Sequence, residues 1–405
     1  MTARRIIKFV LVLVAGAIVL KFFFIPLGNI VHKKHPLVIR VRIAYAFQTL
    51  QVSTSSGSDI YDNDTGGLLR RERAIDEGTQ VKFSQDSIAL GGEEYKVDSL
   101  RIVPLKNSGI KVNGTLYRGD LDIVKMDEGL TAINRVELED YLKGVLPKEV
   151  HSLWPFSVLK AQAIASRSYA VYQSYKRAGK MYDLTADTYS QVYGGKSCEK
   201  WRTTKAVVST RGKVLEYEGK ILPGYFHACC GGHTESASLA WGKESFFAKD
   251  GKGPLKGVKC PWCRWTPYFR WQKRVQTKTI LDKLNARGYS LTNVEDVRSG
   301  PRDASGRLEY VKVKSRRKWL EISTDDFRSA VGRNVLKSAN FRIKKYPFFY
   351  LFSGYGWGHG VGMCQWGAFG LGLRRWSDKR ILEHYYPGAK IVSLKEILDR
   401  EGKRN

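Results

Sequence analysis

Residues 155–178 carry the pattern that admits the fewest folds. Pro155 suits a first helical position and Gly179 a stop. Between them Val158, Ala161, Ala165, Ser168 and Tyr172 fall on one stripe that needs a core to face. Lys160 and Arg167 fall on the opposite side, the ordinary pattern of a solvated face. Around this helix the chain alternates as strands do. Val38–Ile43, Gln80–Phe83 and Gly109–Gly114 read as short strands, and Gly, Asn and Asp turns continue to about Arg135. Beyond Gly179, Val207–Tyr217 reads as a hairpin, and helices are predicted over 274–287, 324–331 and 377–385. Residues 56–67 read as a loop. No internal repeat and no βαβ rhythm is visible, so the class is α+β with strands and helices interleaved. The predicted layout is a β-rich lobe over 37–135, a helix-containing core over 136–394 and a basic tail over 395–405.

The first 25 residues carry a different signal. Arg4, Arg5 and Lys8 precede an apolar run from Phe9 to Leu20, then Lys21 and Phe22–Ile25. That length is at the short end of a membrane helix, and Lys21 can reach the interface. The basic flank favours a cytoplasmic N-terminus. Ala15-Gly-Ala17 resembles a cleavage site but sits in mid-run, so an uncleaved single-pass transmembrane anchor over 1–25 is preferred to a signal peptide. A tether over 26–36 follows, and the remainder is expected outside the cytoplasmic membrane. The chain holds 68 basic and 39 acidic side chains, a net charge of +29. Nucleic acid, an anionic membrane and an acidic wall polymer are the polyanions this charge suits. No nucleic-acid-binding signature accompanies it, so nucleic acid is not expected as a partner.

Two blocks carry candidate chemistry. Tyr141–Val150 ends in a lone carboxylate, Glu149, on the approach to the long helix, where the helix field favours negative charge. The neighbouring acids Glu137, Glu139 and Asp140 read as the end of a strand entering a turn, and none is an obvious partner. Some 200 residues later Gly356-Trp-Gly-His359-Gly-Val-Gly-Met-Cys364-Gln365-Trp-Gly-Ala368 lies in a stretch with eight glycines between Gly354 and Gly372. Glycines interleaved with Trp357, His359, Gln365 and Trp366 suit a groove wall of stacked rings and hydrogen-bonding groups; a packed turn with His359 satisfied internally is the other reading.

These two blocks, with Tyr189–Gly195 and Tyr225–Glu235, resemble the stage II sporulation protein D family of peptidoglycan lytic transglycosylases. The resemblance covers most of 37–394. It implies a membrane-anchored enzyme that cuts the MurNAc–GlcNAc linkage of peptidoglycan glycan strands during sporulation or division. By position Glu149 matches the family's single catalytic acid/base. Lys160 and Arg167 match basic residues near the substrate, and Gln162 belongs to the same block. Tyr225, Trp357, His359 and Gln365 are taken with them as substrate-binding candidates. One carboxylate suffices in such chemistry because the sugar's own hydroxymethyl oxygen attacks the anomeric carbon, giving a 1,6-anhydro end without water. The family acts on strands stripped of peptides, which implies a cell-wall amidase as partner. A non-catalytic wall-binding scaffold that recruits an amidase is the alternative.

The cysteines pose a separate question. Cys229 and Cys230 with His227 and His233, then Cys260-Pro-Trp-Cys263, offer thiolate and imidazole ligands of which four would hold a structural zinc. Two disulfides or free thiols are the alternatives. Cys198 and Cys364 have no evident partner. Some family members bind zinc in the block just before Gln191, but here those positions read Thr185, Tyr189 and Ser190. No cofactor is expected to be needed for catalysis.

Overall fold

The computed structural model describes residues 37–241 and 245–402. The expected anchor over 1–25 and tether over 26–36 lie outside them. Among the described residues no helix is long and apolar enough to cross a membrane. Val38–Ile397 form one compact unit.

The class is α+β, as the interleaved pattern predicts. A seven-stranded sheet runs, edge to edge, Leu184–Thr185, Val38–Phe47, Gly129–Glu137, Asp120–Met126, Ser99–Pro104, Ser58–Asp62 and Leu68–Arg73. Its pairings are antiparallel except for Leu184–Thr185 against Val38–Phe47. A six-stranded sheet built within Thr49–Tyr117 completes the β-rich part. Alternate residues Ile39 and Val41, Leu50 and Val52, and Leu121 and Ile123 are buried, which is what a period of two with one covered face requires. The expected line between lobe and core at 135/136 falls inside the strand Gly129–Glu137.

That strand runs directly into a helix, Leu138–Glu149, where the sequence reads as strand end and turn. Gly144 lies on it because the Tyr193 ring and the Gly195 carbonyl pass within 2.8 Å of where a Cβ would stand. Pro147 lacks an N–H for the helical ladder, and the helix ends two residues later at Glu149.

The long helix spans Phe156–Lys176, within the predicted bounds. Its surroundings differ from the prediction. Residues Val158–Val171 are buried almost without interruption, so the helix is a central rod with no solvated face over that stretch. Arg167 is fully buried and bidentate to Glu139, Nε and Nη2 each donating over 2.8 Å, with further bonds to the Lys213 and Val207 carbonyls. A guanidinium presents five N–H donors, and this cradle of carboxylate and carbonyls is what permits its burial.

The other helices largely follow expectation. Thr324–Val331 and Asp378–Tyr385 form as predicted, the latter capped by the Ser377 hydroxyl. The helix expected over 274–287 begins only at Thr277, because Arg270–Gln276 is a strand whose Trp271 and Val275 face the core. The hairpin expected over 207–217 is instead the end of a helix, Trp201–Ser209, and one strand, Lys213–Tyr217, which turns into Lys220–Ile221. Between the cysteine-rich segment and the glycine block, Arg270–Tyr355 builds its own core around Trp271, Ile280, Val311, Phe327, Phe341 and Phe352.

The buried pair gives a direct test. Arg167→Met leaves the Glu139 carboxylate buried without its cation and should cost about 3–5 kcal/mol in urea unfolding. A variant as stable as the wild type would show that the pair contributes no cohesion between the two helices.

Candidate functional site

Glu149 is the last residue of its helix, and its partners come from distant parts of the chain. The Val192 amide donates to Oε1 over 2.9 Å. The Gln365 amide reaches the Glu149 backbone carbonyl at 3.2 Å and Oε2 at 3.5 Å. Burial raises the carboxyl pKa, opposed by those two donors. The carbonyl end of its own helix acts in the same direction as burial. The expectation that a helix N-terminus would stabilise its charge is therefore reversed. The Tyr141 and Tyr169 hydroxyls also feel the Glu149 charge, and burial raises both. None of these groups is a second carboxylate.

The block Tyr189–Gly195 is the floor of this site. Gln191 accepts from the Tyr141 hydroxyl at 3.1 Å, and Tyr193 packs between Tyr117 and Tyr141 while donating to Asn134. Its part in holding Glu149 through the Val192 amide is not readable from sequence, since a backbone donor leaves no residue signature. Thr185 and Ser190 share a hydroxyl bond of 3.2 Å and Tyr189 is exposed, and none of the three offers a thiolate or imidazole.

Of the substrate-binding candidates, the structure brings some to Glu149 and withdraws others. Gln365 is in contact. Arg167 and Gln162 are fully buried, the first by Glu139 and the second against Ser166, and neither has surface to present to a ligand. Lys160 is partly exposed but its ammonium lies 2.6 Å from Asp378. His359 is held at both nitrogens: Nδ1 accepts from the Val361 amide at 3.1 Å, so Nε2 carries the hydrogen and donates to the Phe226 carbonyl at 2.9 Å. Burial pushes its pKa down to about 4, so the ring is a neutral strut and offers a ligand only its face.

Aromatic rings are the surface that remains. Trp366, next to Gln365, contacts Trp154, Trp265, Tyr268 and Phe369 at centroid distances of 5.1–5.6 Å. Tyr268 continues to Trp357 at 5.3 Å, where the Lys337 ammonium sits 4.3 Å over the ring. Trp265 is more than half exposed. A second tract runs Tyr169, Tyr225, Trp241 at 5.7 and 4.8 Å, and Trp241 is also exposed. Trp154, Trp241, Trp265 and Tyr268 have no signature spacing that marks them in sequence.

The eight glycines admit protein rather than ligand. A Cβ at Gly356 would meet the Cys229 carbonyl at 2.6 Å, and one at Gly367 the Tyr385 hydroxyl at 2.1 Å and the Cys260 sulfur at 2.4 Å. Gly370 and Gly372 close in the same way on the Trp262 carbonyl and on Val158 with Pro155.

The cysteine candidates are rearranged. The sulfurs of Cys230, Cys260, Cys263 and Cys364 lie within 4.8 Å of one another, all buried. Cys229 is not in that set: its sulfur touches those of Cys263 and Cys364 from one side and lies 4.0 Å from the Thr266 hydroxyl. His227, whose Nδ1 bonds the Val361 carbonyl, and His233, whose Nδ1 bonds the Thr234 carbonyl, both lie outside that group of sulfurs. Cys364 is the member that sequence spacing does not reveal.

A second buried acid, Glu235, has its pKa raised to about 7 by burial, held between Ser305, Arg307 and the Ser236 amide. A cavity of about 330 Å³ lies elsewhere, lined by Phe269, Arg302, Asn340 and Arg342 among others, without Glu149 or Gln365.

The chain matches the stage II sporulation protein family over residues 126–217 and a domain of unknown function over 263–362. It is 34% identical to an uncharacterized protein of Brachyspira hyodysenteriae over 318 residues, 78% of this chain and 83% of that protein. It is 29% identical to the amidase enhancer of Bacillus subtilis, over 88% of this chain and 55% of that protein. Stage II sporulation protein D of Bacillus amyloliquefaciens is 29% identical, over 66% of this chain and 78% of that protein.

The neutral strut makes stability depend on pH. His359 titrates at about 4 in the fold against an unfolded value of 6.5. Between those values the unfolded chain takes up a proton that the folded ring refuses, so stability falls as pH falls, at about 1.4 kcal/mol per pH unit for one such group. Urea midpoints from pH 7 to 4 should drop less steeply in His359→Gln than in the wild type. Parallel profiles would show that the ring is protonated in place.

Proposed function

The chain belongs to the stage II sporulation protein D family, and on that footing we propose that it is a membrane-anchored lytic transglycosylase that cleaves peptidoglycan glycan strands. The observation that supports this most directly is Glu149: a carboxyl with raised pKa, bonded to Val192 and Gln365 and beside two tyrosines, with no carboxylate partner among the described residues.

A protonated Glu149 gives its hydrogen to the bridging glycosidic oxygen, and the C1–O bond breaks with the electron pair leaving on that oxygen. The carboxylate so formed takes the proton from the muramoyl C6 hydroxyl, whose oxygen forms the new bond to C1. No water enters, and the acid returns to its starting state. Both steps need one carboxyl that can hold a proton and release it; burial raises the Glu149 pKa and the two amide donors moderate the rise. The Trp366 tract is the apolar surface against which sugar rings stack, with Gln365 at its inner end. The net charge of +29 draws the chain to an anionic wall. The apolar segment over 1–25 is assigned the role of anchor, which puts the described residues on the wall side of the membrane.

The amidase enhancer among the relatives favours a second reading. On it the same groove binds glycan without cutting, and stimulates an amidase.

Glu149→Gln separates the two. Incubated with purified peptide-free glycan strands, the wild type should release products with 1,6-anhydro ends, seen by mass spectrometry as one water lighter than reducing ends. The variant should be slower by about 10²- to 10⁴-fold. Anhydro ends formed equally well by the variant would defeat the assignment; binding and amidase stimulation that survive, with no anhydro ends from either protein, would favour the scaffold. Gln365→Leu should carry the alkaline limb of the rate to higher pH, because it removes a donor that holds the Glu149 pKa down.

A further inference from the structure

The four buried sulfurs lie where the cysteine-rich segment meets the glycine block. Cys260 and Cys263 sit in a Cys-x-x-Cys turn whose last three residues form a single 3₁₀ turn, Pro261–Cys263. Cys230 comes from the stretch just after the short strand Phe226–His227, which pairs in parallel with Met363–Cys364. That pairing is what carries Cys364 to the other three. A tetrahedral ion bound to sulfur at about 2.3 Å places its ligands about 3.8 Å apart, and the observed sulfurs all lie within 4.8 Å of one another.

The groups around the sulfurs are arranged as donors to thiolates. The Cys230 and Gly367 amides point at the Cys364 sulfur at 3.3 and 3.2 Å. The Gly232 amide points at the Cys230 sulfur at 3.4 Å, and the Tyr385 hydroxyl lies 3.1 Å from the Cys260 sulfur. Cys364 also caps the N-terminus of the helix Gln365–Leu373, whose field favours an anionic sulfur. Donors of this kind are the outer shell that fixes metal-bound thiolates. Gly367 belongs to the same design, since any side chain there would strike the Cys260 sulfur.

We propose that Cys230, Cys260, Cys263 and Cys364 bind one structural zinc ion, which clamps the helix carrying Gln365 and Trp366 to the cysteine-rich segment. Four thiolates with no open position suit a closed structural site and not a catalytic one, and all-sulfur tetrahedral ligation selects zinc among the common divalent ions. The assignment drops Cys229, His227 and His233 from the ligand set and adds Cys364. It does not depend on the reaction proposed for Glu149, but it explains how residue 365 is held there: its neighbour in sequence is a metal ligand.

The test is metal content of the full chain, purified without chelator, measured by mass spectrometry of the elements and by intact mass under non-reducing conditions. About one zinc per chain with all six cysteines alkylatable after unfolding is the expected result. Cys364→Ser and Cys263→Ser should lose the zinc, whereas Cys229→Ser and Cys198→Ser should keep it. Replacement by Co2+ should give the intense visible bands of a tetrahedral tetrathiolate. Because a core cysteine variant can fail to fold, the wild-type measurements carry the decision. Protein with less than about a tenth of an equivalent of metal and a mass short by about 2 or 4 Da would establish disulfides instead and overturn the proposal. So would metal retained in folded Cys364→Ser but lost in Cys229→Ser.

Discussion

The site depends on one contact, the Gln365 amide against Glu149, made across 216 residues of sequence. Everything that brings it about is packing by other groups. The helix Leu138–Glu149 is held to the long helix by the buried Glu139–Arg167 pair, and the helix Gln365–Leu373 lies against the same long helix through Gly372, Val158 and Pro155. The long helix is thus the shared support on which the carboxyl and its amide partner meet. Polar groups with fixed partners at both ends hold a geometry that apolar packing alone would leave adjustable.

How far the sequence discloses this can be judged residue by residue. The long helix was legible because its proline, glycine and apolar stripe agree with one another. The burial of Arg167 was not, because periodicity places a side chain on a face without saying what covers it. Its partner, Glu139, sits in a helix that the sequence shows poorly, with a glycine and a proline in twelve residues. Glu149 and Gln365 were legible through family resemblance and not through spacing. Cys364 was hidden for a different reason. Spacing along the chain identifies a Cys-x-x-Cys pair, but a fourth sulfur brought in by a two-residue parallel pairing has no local mark.

The glycine block shows how one composition supports two physical readings. Dense glycine permits close approach by any neighbour, and the neighbour here is the protein's own backbone, ring and sulfur atoms. The aromatic surface next to it is then the part left for a ligand. His359 fits the same account. With both nitrogens committed to backbone it cannot hydrogen-bond a substrate, yet it fixes the loop between the Tyr225 tract and the helix that follows.

A raised pKa alone would not select Glu149 as the acid. Burial also raises Asp120 in the β-rich part, but the two raised carboxyls beside the glycine block are Glu149 and Glu235, the latter pushed up to about 7. Access decides between them. Glu235 is 2% exposed, enclosed by Ser305, the Ser236 amide and the Arg307 guanidinium. The neighbouring Asp303 carboxylate adds to the rise, and at that exposure a bulky polymer does not reach Glu235. Glu149 stands at the end of a helix, partly open, with its carboxyl bounded by amides and phenols and with an exposed aromatic tract beginning one residue from its partner. The proposed reaction needs an acid on a surface that sugar rings can cross. Of these two carboxyls, Glu149 is the one with that surface beside it.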